Sequence, residues 1–289
     1  MKKNILILSI CLIAISCGST RNLQTFNYTM PTSEIKLISY NIRHSGASRI
    51  DGEHRWSNRR HATVNMIQQE APSVLGLQEA LPGQMRFIQR NFRQYDHVGV
   101  GRDGRRRGEF SAIFFLRERF ELLDEGTFWL SETPERVSIG WDARQRRIVT
   151  WVKLRERYSG KEFYFFNTHL DHRGEKSREK SIKLIVERIR EIAQQDKGII
   201  FGGDLNAPLS DSAFDPITYF MVDARECSPI SDDKGTFNAF GAVSPPITID
   251  FILSKNVICK SFRTLTGDYG APFISDHYPI QFVFRLLAP

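Results

Sequence analysis

The sequence predicts an α/β domain in which two packed β-sheets are covered by helices. Three observations lead there. Short apolar segments of strand length recur between residues 35 and 286. Few long helical stretches lie between them, which favours sheet packed on sheet over one doubly wound sheet. No repeat and no linker rich in Pro, Gly or Ser interrupts residues 35–287, so these strands belong to one domain. A chain of 289 residues can bury a large core. Its 41% apolar and 25% charged residues exclude a disordered or fibrous protein. Four cysteines, none in a Cys-x-x-Cys pair, argue against a disulfide scaffold and against structural zinc.

The elements follow from local pattern. Residues 35–40 read as a strand ending at Asn41. Residues 56–70 read as a helix with Ala62, Met66 and Ile67 near one face, ended by Pro72. Residues 73–78 form a buried strand that delivers Glu79. Met85, Ile88 and Phe92 have the spacing of a second helix. Strands are expected over 111–116, 120–130, 147–157 and 162–168, the last ending at His169. The clearest helix runs from Lys176 to Gln194, where Ile182, Ile185, Val186, Ile189 and Ala193 make one apolar stripe that Gly198 stops. Ile199-Ile200-Phe201 then leads into Gly202-Gly203-Asp204-Leu205-Asn206. Strands over 248–254, 257–264 and 278–286 complete the domain.

The N-terminus reads as an export signal. Lys2 and Lys3 precede an apolar stretch from Ile5 to Ile15, too short for a stable membrane anchor. Ala14-Ile15-Ser16-Cys17 resembles a bacterial lipobox, which implies cleavage before Cys17 and acylation of its thiol. The expected organisation is a signal peptide over 1–16, a lipid-anchored tether over 17–33 and one domain over 34–289. That places the protein on the bacterial cell envelope, periplasmic or outer. Cys227 and Cys259 could pair in an oxidising periplasm, with two unpaired buried thiols the favoured expectation. The net charge of +7 suits a phosphorylated substrate without requiring nucleic acid. Arg105, Arg106 and Arg107, and again Arg144, Arg146 and Arg147, read as solvated loop residues.

Polar residues of a restricted kind recur at strand ends. Asn41, Glu79, His169, Asp204, Asn206, Asp250 and Asp276-His277 each sit at or just past an apolar strand. One such residue is an ordinary turn residue; seven placements of acids, amides and imidazoles point to one functional edge. Oxygen donors dominate the set, which suits Mg²⁺ or Mn²⁺ better than zinc. No Gly-x-Ser-x-Gly elbow and no Walker loop occurs.

Six segments occur in order: Ser39-Tyr40-Asn41-Ile42-Arg43, Gly76-Leu77-Gln78-Glu79, Asn167-Thr168-His169-Leu170, Gly203-Asp204-Leu205-Asn206, Ile249-Asp250-Phe251-Ile252 and Ser275-Asp276-His277-Tyr278-Pro279. Together they resemble the endonuclease/exonuclease/phosphatase, or DNase I-like, superfamily over residues 35–287. Gly101-Arg102-Asp103 through Gly108-Glu109-Phe110 resembles a bacterial branch of it, as does the stretch from Phe128 to Ala143. The resemblance implies a four-layer α/β sandwich, two mixed sheets flanked by helices, that cleaves phosphoester bonds with a metal ion.

Chemistry assigns roles to these residues. A phosphoester repels a nucleophile, so catalysis needs a cation on its oxygens, a base for water and donors for the growing charge. Glu79 is the first metal ligand, with Asn41 beside it and Asp276 as a further contact, for Mg²⁺ with Mn²⁺ as a substitute. His277 is the expected general base; the resemblance makes Asp250 the residue that orients it. Asp204 would position or activate water. Asn206, two residues along an extended segment, would donate to the phosphoryl oxygen, and His169 to another. Arg102 and Glu109 are expected on the substrate side. Trp129, Trp141 and Trp151 are expected as core or sheet-edge aromatics. The leading function is a metal-dependent phosphoester hydrolase attacking with water. The alternatives are an extracellular nuclease on DNA or RNA, and a binding protein that kept the fold. The partners expected are the phosphorylated substrate and, through the lipid, a membrane; no protein partner is predicted.

Overall fold

Two six-stranded mixed sheets face each other in the computed structural model, which describes residues 33–287. The signal peptide, Cys17 and nearly all of the tether expected from the sequence lie outside these residues. The first sheet contains β1 (Glu34–Asn41), β2 (Val74–Ala80), β3 (Tyr95–Val98), β4 (Phe110–Leu116), β11 (Val257–Thr264) and β12 (Ile280–Leu286), in the order β11-β12-β1-β2-β4-β3. The second contains β5 (Phe120–Trp129), β6 (Ile148–Glu156), β7 (Glu162–His169), β8 (Gly198–Asp204), β9 (Val222–Asp223) and β10 (Asp250–Lys255), in the order β5-β6-β7-β8-β10-β9. Three long helices, α1 (Trp56–Glu70), α2 (Pro82–Asn91) and α3 (Glu175–Ile192), are joined by shorter single turns. Among the described residues no helix is long and apolar enough to cross a membrane.

Each sheet has one parallel pair at its centre, β1 with β2 and β7 with β8; the other pairings are antiparallel. A parallel pair needs a crossover, and α1 and α3 supply these connections. Alternation then assigns the faces. Leu37, Val74, Ile113, Phe115, Leu154, Phe163, Phe165 and Phe284 point into the layer between the sheets. Ile38, Tyr40, Leu75 and Phe114 point outward onto Met66, Ile67, Met85 and Ile88 of α1 and α2. Tyr164, Phe166, Ile199 and Phe201 do the same for Ile182, Ile185 and Ile189 of α3. These layers are the predicted four-layer sandwich.

At one end the inter-sheet layer turns polar. Gln78 Nε2 donates to Asn167 Oδ1 at 2.7 Å and to Ser39 Oγ at 3.1 Å. Asn167 donates to the backbone oxygens of Leu77 and Ala112. These buried amides link the two sheets where the site begins, with Gln78 Oε1 the one atom among them that has no partner. Gly203 in β8 makes that end possible: its φ is +140°, and a Cβ there would lie 1.9 Å from the Thr168 carbonyl oxygen.

Several elements differ from the sequence reading. The strands β3 and β9 are too short for their alternation to register. The helix α3 ends at Ile192, and Gly198 opens β8 rather than ending the helix. Cys227 and Cys259 are bonded to each other, with Cα atoms 5.8 Å apart, so the expectation of free thiols is corrected. The turn Ala224–Cys227 packs beside β11, and that proximity across 32 residues is a tertiary fact. Arg147 is buried, not solvated as its loop suggested, while Arg105, Arg106, Arg107, Arg144 and Arg146 are exposed. Trp129 and Trp151 are buried as expected, and Trp129 Nε1 donates to the Arg102 carbonyl oxygen at 2.8 Å.

Candidate active site

The two central parallel pairs set the site. In such a sheet a crevice opens beyond the carboxyl ends of the parallel strands. Here the carboxyl ends of β1, β2, β7 and β8 carry Asn41, Glu79, His169 and Asp204. The antiparallel neighbours β10 and β12 run the other way, so their beginnings reach the same edge. Asp250 opens β10, and Asp276-His277 lies in the loop before β12. A cleft of about 730 Å³ lies here, lined among others by Glu79, Arg102, Glu109, His169, Asp204, Asn206, Asp276 and His277. The same cleft is lined by residues from the loops 43–55, 101–109, 131–146 and 228–246.

Asp204 is the hub. Its Oδ2 accepts from Asn41 Nδ2 at 2.9 Å and lies 3.4 Å from His169 Nε2 and 3.7 Å from His277 Nε2. Its Oδ1 accepts the Asn206 N–H at 2.9 Å. Burial and the neighbouring Asp250 carboxylate push it up to about 7. His277 Nδ1 bonds Asp250 Oδ2 at 2.8 Å, and Thr236 Oγ1 donates to the same oxygen at 2.6 Å. Burial lowers His277, but Asp250 and Asp204 outweigh it and raise the imidazole to about 10. Asp250 therefore fixes the ring, with Nδ1 carrying a proton and Nε2 directed toward Asp204. Burial, with Arg147 and Arg102 nearby, holds His169 well below its usual value, so it is neutral.

Glu79 joins this chain of contacts through Asn41, whose Nδ2 donates to both carboxylates. Glu79 has a φ of 61°, in the left-handed region. Its Oε1 accepts from Asn41 Nδ2 at 3.2 Å and its Oε2 from the His44 N–H at 3.0 Å. Burial would raise it, but the His44 N–H and the charges of His44, His277 and Arg43 hold it below the usual carboxylate range. Two donor groups could therefore meet an ion. Donor atoms of Asp204, Asp250 and His277 lie within 4.8 Å of one another, yet His277 and Asp250 already satisfy each other. Glu79 is an ionised carboxylate with lone pairs to spare, which fits a hard divalent cation.

Other expectations meet a different geometry. Asn41 turns its amide nitrogen toward Glu79 and Asp204, while its Oδ1 accepts the Arg43 N–H at 3.0 Å. Asp276 lies 3.5 Å from Arg43 Nη1 and accepts from Ser275 Oγ, so it contacts a neighbouring loop. Asn206 does not lie on an extended segment: its φ is 55°, and the Asp204 carboxylate closes the turn onto its N–H. One of its amide hydrogens goes to the Leu170 carbonyl oxygen. Arg102 and Glu109 form an ion pair at 2.7 Å in the cleft wall, where burial raises Glu109.

Sequence reasoning missed Arg43, Arg147, Asp171 and Thr236. Asp171 follows the His169-Leu170 motif by one residue, and that proximity was the available signal. Its carboxylate accepts the N–H groups of Arg144, Gln145, Arg173 and Gly174 and lies 3.4 Å from Arg147 Nε. Burial would raise Asp171, but the N–H groups of Gly174, Arg173 and Arg144, with the Arg147 charge, lower it to about 2. A depressed carboxylate stabilises the fold above its unfolded value of 3.8, and the stabilisation is lost as pH falls through about 2. Asp171→Asn leaves Arg147 buried without its counter-charge and is expected to cost about 3–5 kcal/mol. Urea melts at neutral pH and below about pH 4 check this: the difference from wild type should shrink in acid.

Comparison with known proteins decides the family. The model of the Endonuclease/Exonuclease/phosphatase family matches residues 38–277. The chain belongs to this family. An endonuclease/exonuclease/phosphatase from Bacteroides vulgatus superposes with a TM-score of 0.83 at 32% identity, over 88% of this chain and 99% of that one. A mannosyl-6-phosphatase from Bacteroides thetaiotaomicron gives 0.81 at 32% identity, over 86% and 99%. An uncharacterized protein of Acanthamoeba polyphaga mimivirus is 26% identical over 272 residues, 87% of this chain and all of that one. The family's two-sheet sandwich is the fold described above, and all six motifs lie at one end of it.

Proposed function

We propose that the protein is a divalent-metal-dependent phosphoester hydrolase that attacks with water. The observation that carries the reading is the hydrogen-bonded set Asp250–His277 around Asp204, facing an ionised Glu79 across one cleft. Glu79 would hold the cation, with Asn41 donating to its carboxylate and fixing its direction. A bound cation supplies charge neutralisation at the phosphoryl oxygens. Asp204, raised to about 7, is the better proton acceptor for the attacking water near neutral pH. His277, raised to about 10 and oriented by Asp250, supplies a charged donor for a phosphoryl oxygen instead of the base role expected from sequence. The water oxygen bonds phosphorus and the ester P–O bond breaks; the water's proton passes to Asp204, the leaving oxygen takes a proton from solvent to become an alcohol, and Asp204 returns its proton to solvent. Neutral His169 donates through Nε2.

The charge pattern favours a small phosphoester over nucleic acid. Each arginine lining the cleft already has a carboxylate beside it: Arg43 has Asp51 and Asp276, Arg102 has Glu109, and Arg147 has Asp171. A polyanion needs cations that are free to neutralise its phosphates. The similar mannosyl-6-phosphatase also supports a phosphomonoester substrate. Export and lipid anchoring remain part of the proposal. The Ala14-Ile15-Ser16-Cys17 segment supports both, and the Cys227–Cys259 bond supports an oxidising compartment.

A panel of phosphoesters with Mg²⁺ or Mn²⁺, and again with EDTA, tests the reading. It should hold DNA, RNA, inositol phosphates, hexose phosphates, sphingomyelin and an aryl phosphate. EDTA-sensitive release from a small phosphomonoester is expected. Release from DNA or RNA alone, falling steeply with salt, would replace it with the nuclease reading.

A further inference from the structure

The cleft has two walls that the hydrolytic groups do not use. One carries the Arg102–Glu109 pair. Arg102 donates its backbone N–H to the Glu109 carbonyl oxygen at 2.9 Å, and Trp129 clamps the Arg102 carbonyl from the other side. Arg102 Nη2 also reaches Gln145 Oε1 at 3.5 Å. Fixed in this way, Arg102, Glu109 and Gln145 present donors and acceptors together, and a hydroxyl group is the ligand that needs both. The Glu109 carboxylate also repels a second phosphate. This wall therefore suits an uncharged polyol.

The other wall is aromatic. Phe240 stacks on His54 with ring centroids 4.6 Å apart and planes 7° from parallel, and Phe273 meets His54 edge-on at 5.7 Å. Both His54 and Phe240 line the cleft. The backbone goes to unusual lengths to place Phe240. Ala239, Phe240 and Gly241 have successive φ values of 46°, 55° and 89°, and residues other than glycine rarely adopt these. Asn238 Oδ1 accepts the Phe240 N–H at 2.8 Å, and the Asp276 carbonyl oxygen accepts the N–H groups of Asn238 and Ala239. The platform is thus tied to the residue that precedes His277.

We propose that these walls recognise the leaving group, and that it is a cyclic sugar: Phe240, backed by His54, takes an apolar ring face, and Glu109, Arg102 and Gln145 read its hydroxyl edge. The inference rests on the phosphoester hydrolase reading and names its substrate class. A flat apolar face and a hydroxylated edge on one ring describe a pyranose. A nucleobase would use the platform as well and could give an N–H to Glu109, so a nucleoside monophosphate is the competing substrate.

Three substrates test this, with a nucleoside monophosphate as the competitor: a hexose 6-phosphate, the matching open-chain hexitol 6-phosphate, and phenyl phosphate. Wild type should turn over the hexose phosphate with the highest kcat/KM. Phe240→Leu keeps apolar bulk without a flat face; it should lower kcat/KM for the hexose phosphate about tenfold relative to the hexitol phosphate. Glu109→Gln should lower it about tenfold relative to phenyl phosphate, with the change in KM rather than kcat. Equal losses on all three substrates in both variants would overturn the proposal, as would a wild-type preference for a nucleoside monophosphate. Absence of EDTA-sensitive release from every substrate would instead defeat the hydrolase reading. Calorimetric titration with the hexose 6-phosphate then decides recognition separately: wild type should bind it about tenfold more tightly than Phe240→Leu. Equal affinities would overturn the sugar platform.

Discussion

Replacing Asp204 with asparagine or His277 with alanine is expected to lower kcat about a hundredfold or more, with a smaller effect on KM. Asp204→Asn removes the proton acceptor from the hub that Asn41, His169 and His277 face. His277→Ala removes the charged donor and leaves Asp250 with Thr236 as its remaining side-chain partner. The two groups lie 3.7 Å apart and, in the proposed mechanism, act on one reacting phosphate. The double variant should therefore be about as slow as the worse single one, because residues acting as a unit are not additive. Steady-state kinetics of the three variants on one substrate checks this. Near wild-type turnover in either single variant would remove that residue from the mechanism. Losses that multiply fully would show that the two act independently.

Glu79→Gln is expected to weaken Mg²⁺ binding by more than the roughly 10–100-fold typical of losing a residue that only orients a metal ligand. The substitution keeps size and one of the two contacts, because the glutamine oxygen can accept from either His44 N–H or Asn41 Nδ2 but its NH2 accepts from neither, and it removes the charge that a hard cation needs. Calorimetric titration with Mg²⁺ alone reads the affinity directly, without turnover. Activity at rising Mg²⁺ gives a second reading, with the half-maximal concentration shifted upward by the same factor. An unchanged affinity would move the cation to the Asp204, Asp250 and His277 group, whose donor atoms lie within 4.8 Å of one another.

Asn41, Glu79, His169 and Asp204 were legible because each lies at the end of an apolar strand. The strands β1, β2, β7 and β8 show in the sequence as short apolar runs, and the polar residue that ends each run stands out against it. The same local rule placed α3 within a residue or two, since Ile182, Ile185 and Ile189 mark its buried stripe. It could not place β9, whose two residues are shorter than one full alternation. Nor could it show that Asn206 leaves the extended path at once, because Asp204 folds back onto its N–H.

Pairing and orientation came only with the tertiary structure. Asp250 and His277 are 27 residues apart, and no local pattern brings them to 2.8 Å; the antiparallel course of β10 beside β8 and of β12 beside β1 does. Arg147 and Asp171 look like loop charges in sequence, yet the crossing of their loops buries both. The Cys227–Cys259 bond and the stacking of His54 on Phe240 arise in the same way, from loops that meet in space. Periodicity reports how one segment is buried. Which segments meet depends on long-range strand pairing, and a single chain read in order carries no direct record of that.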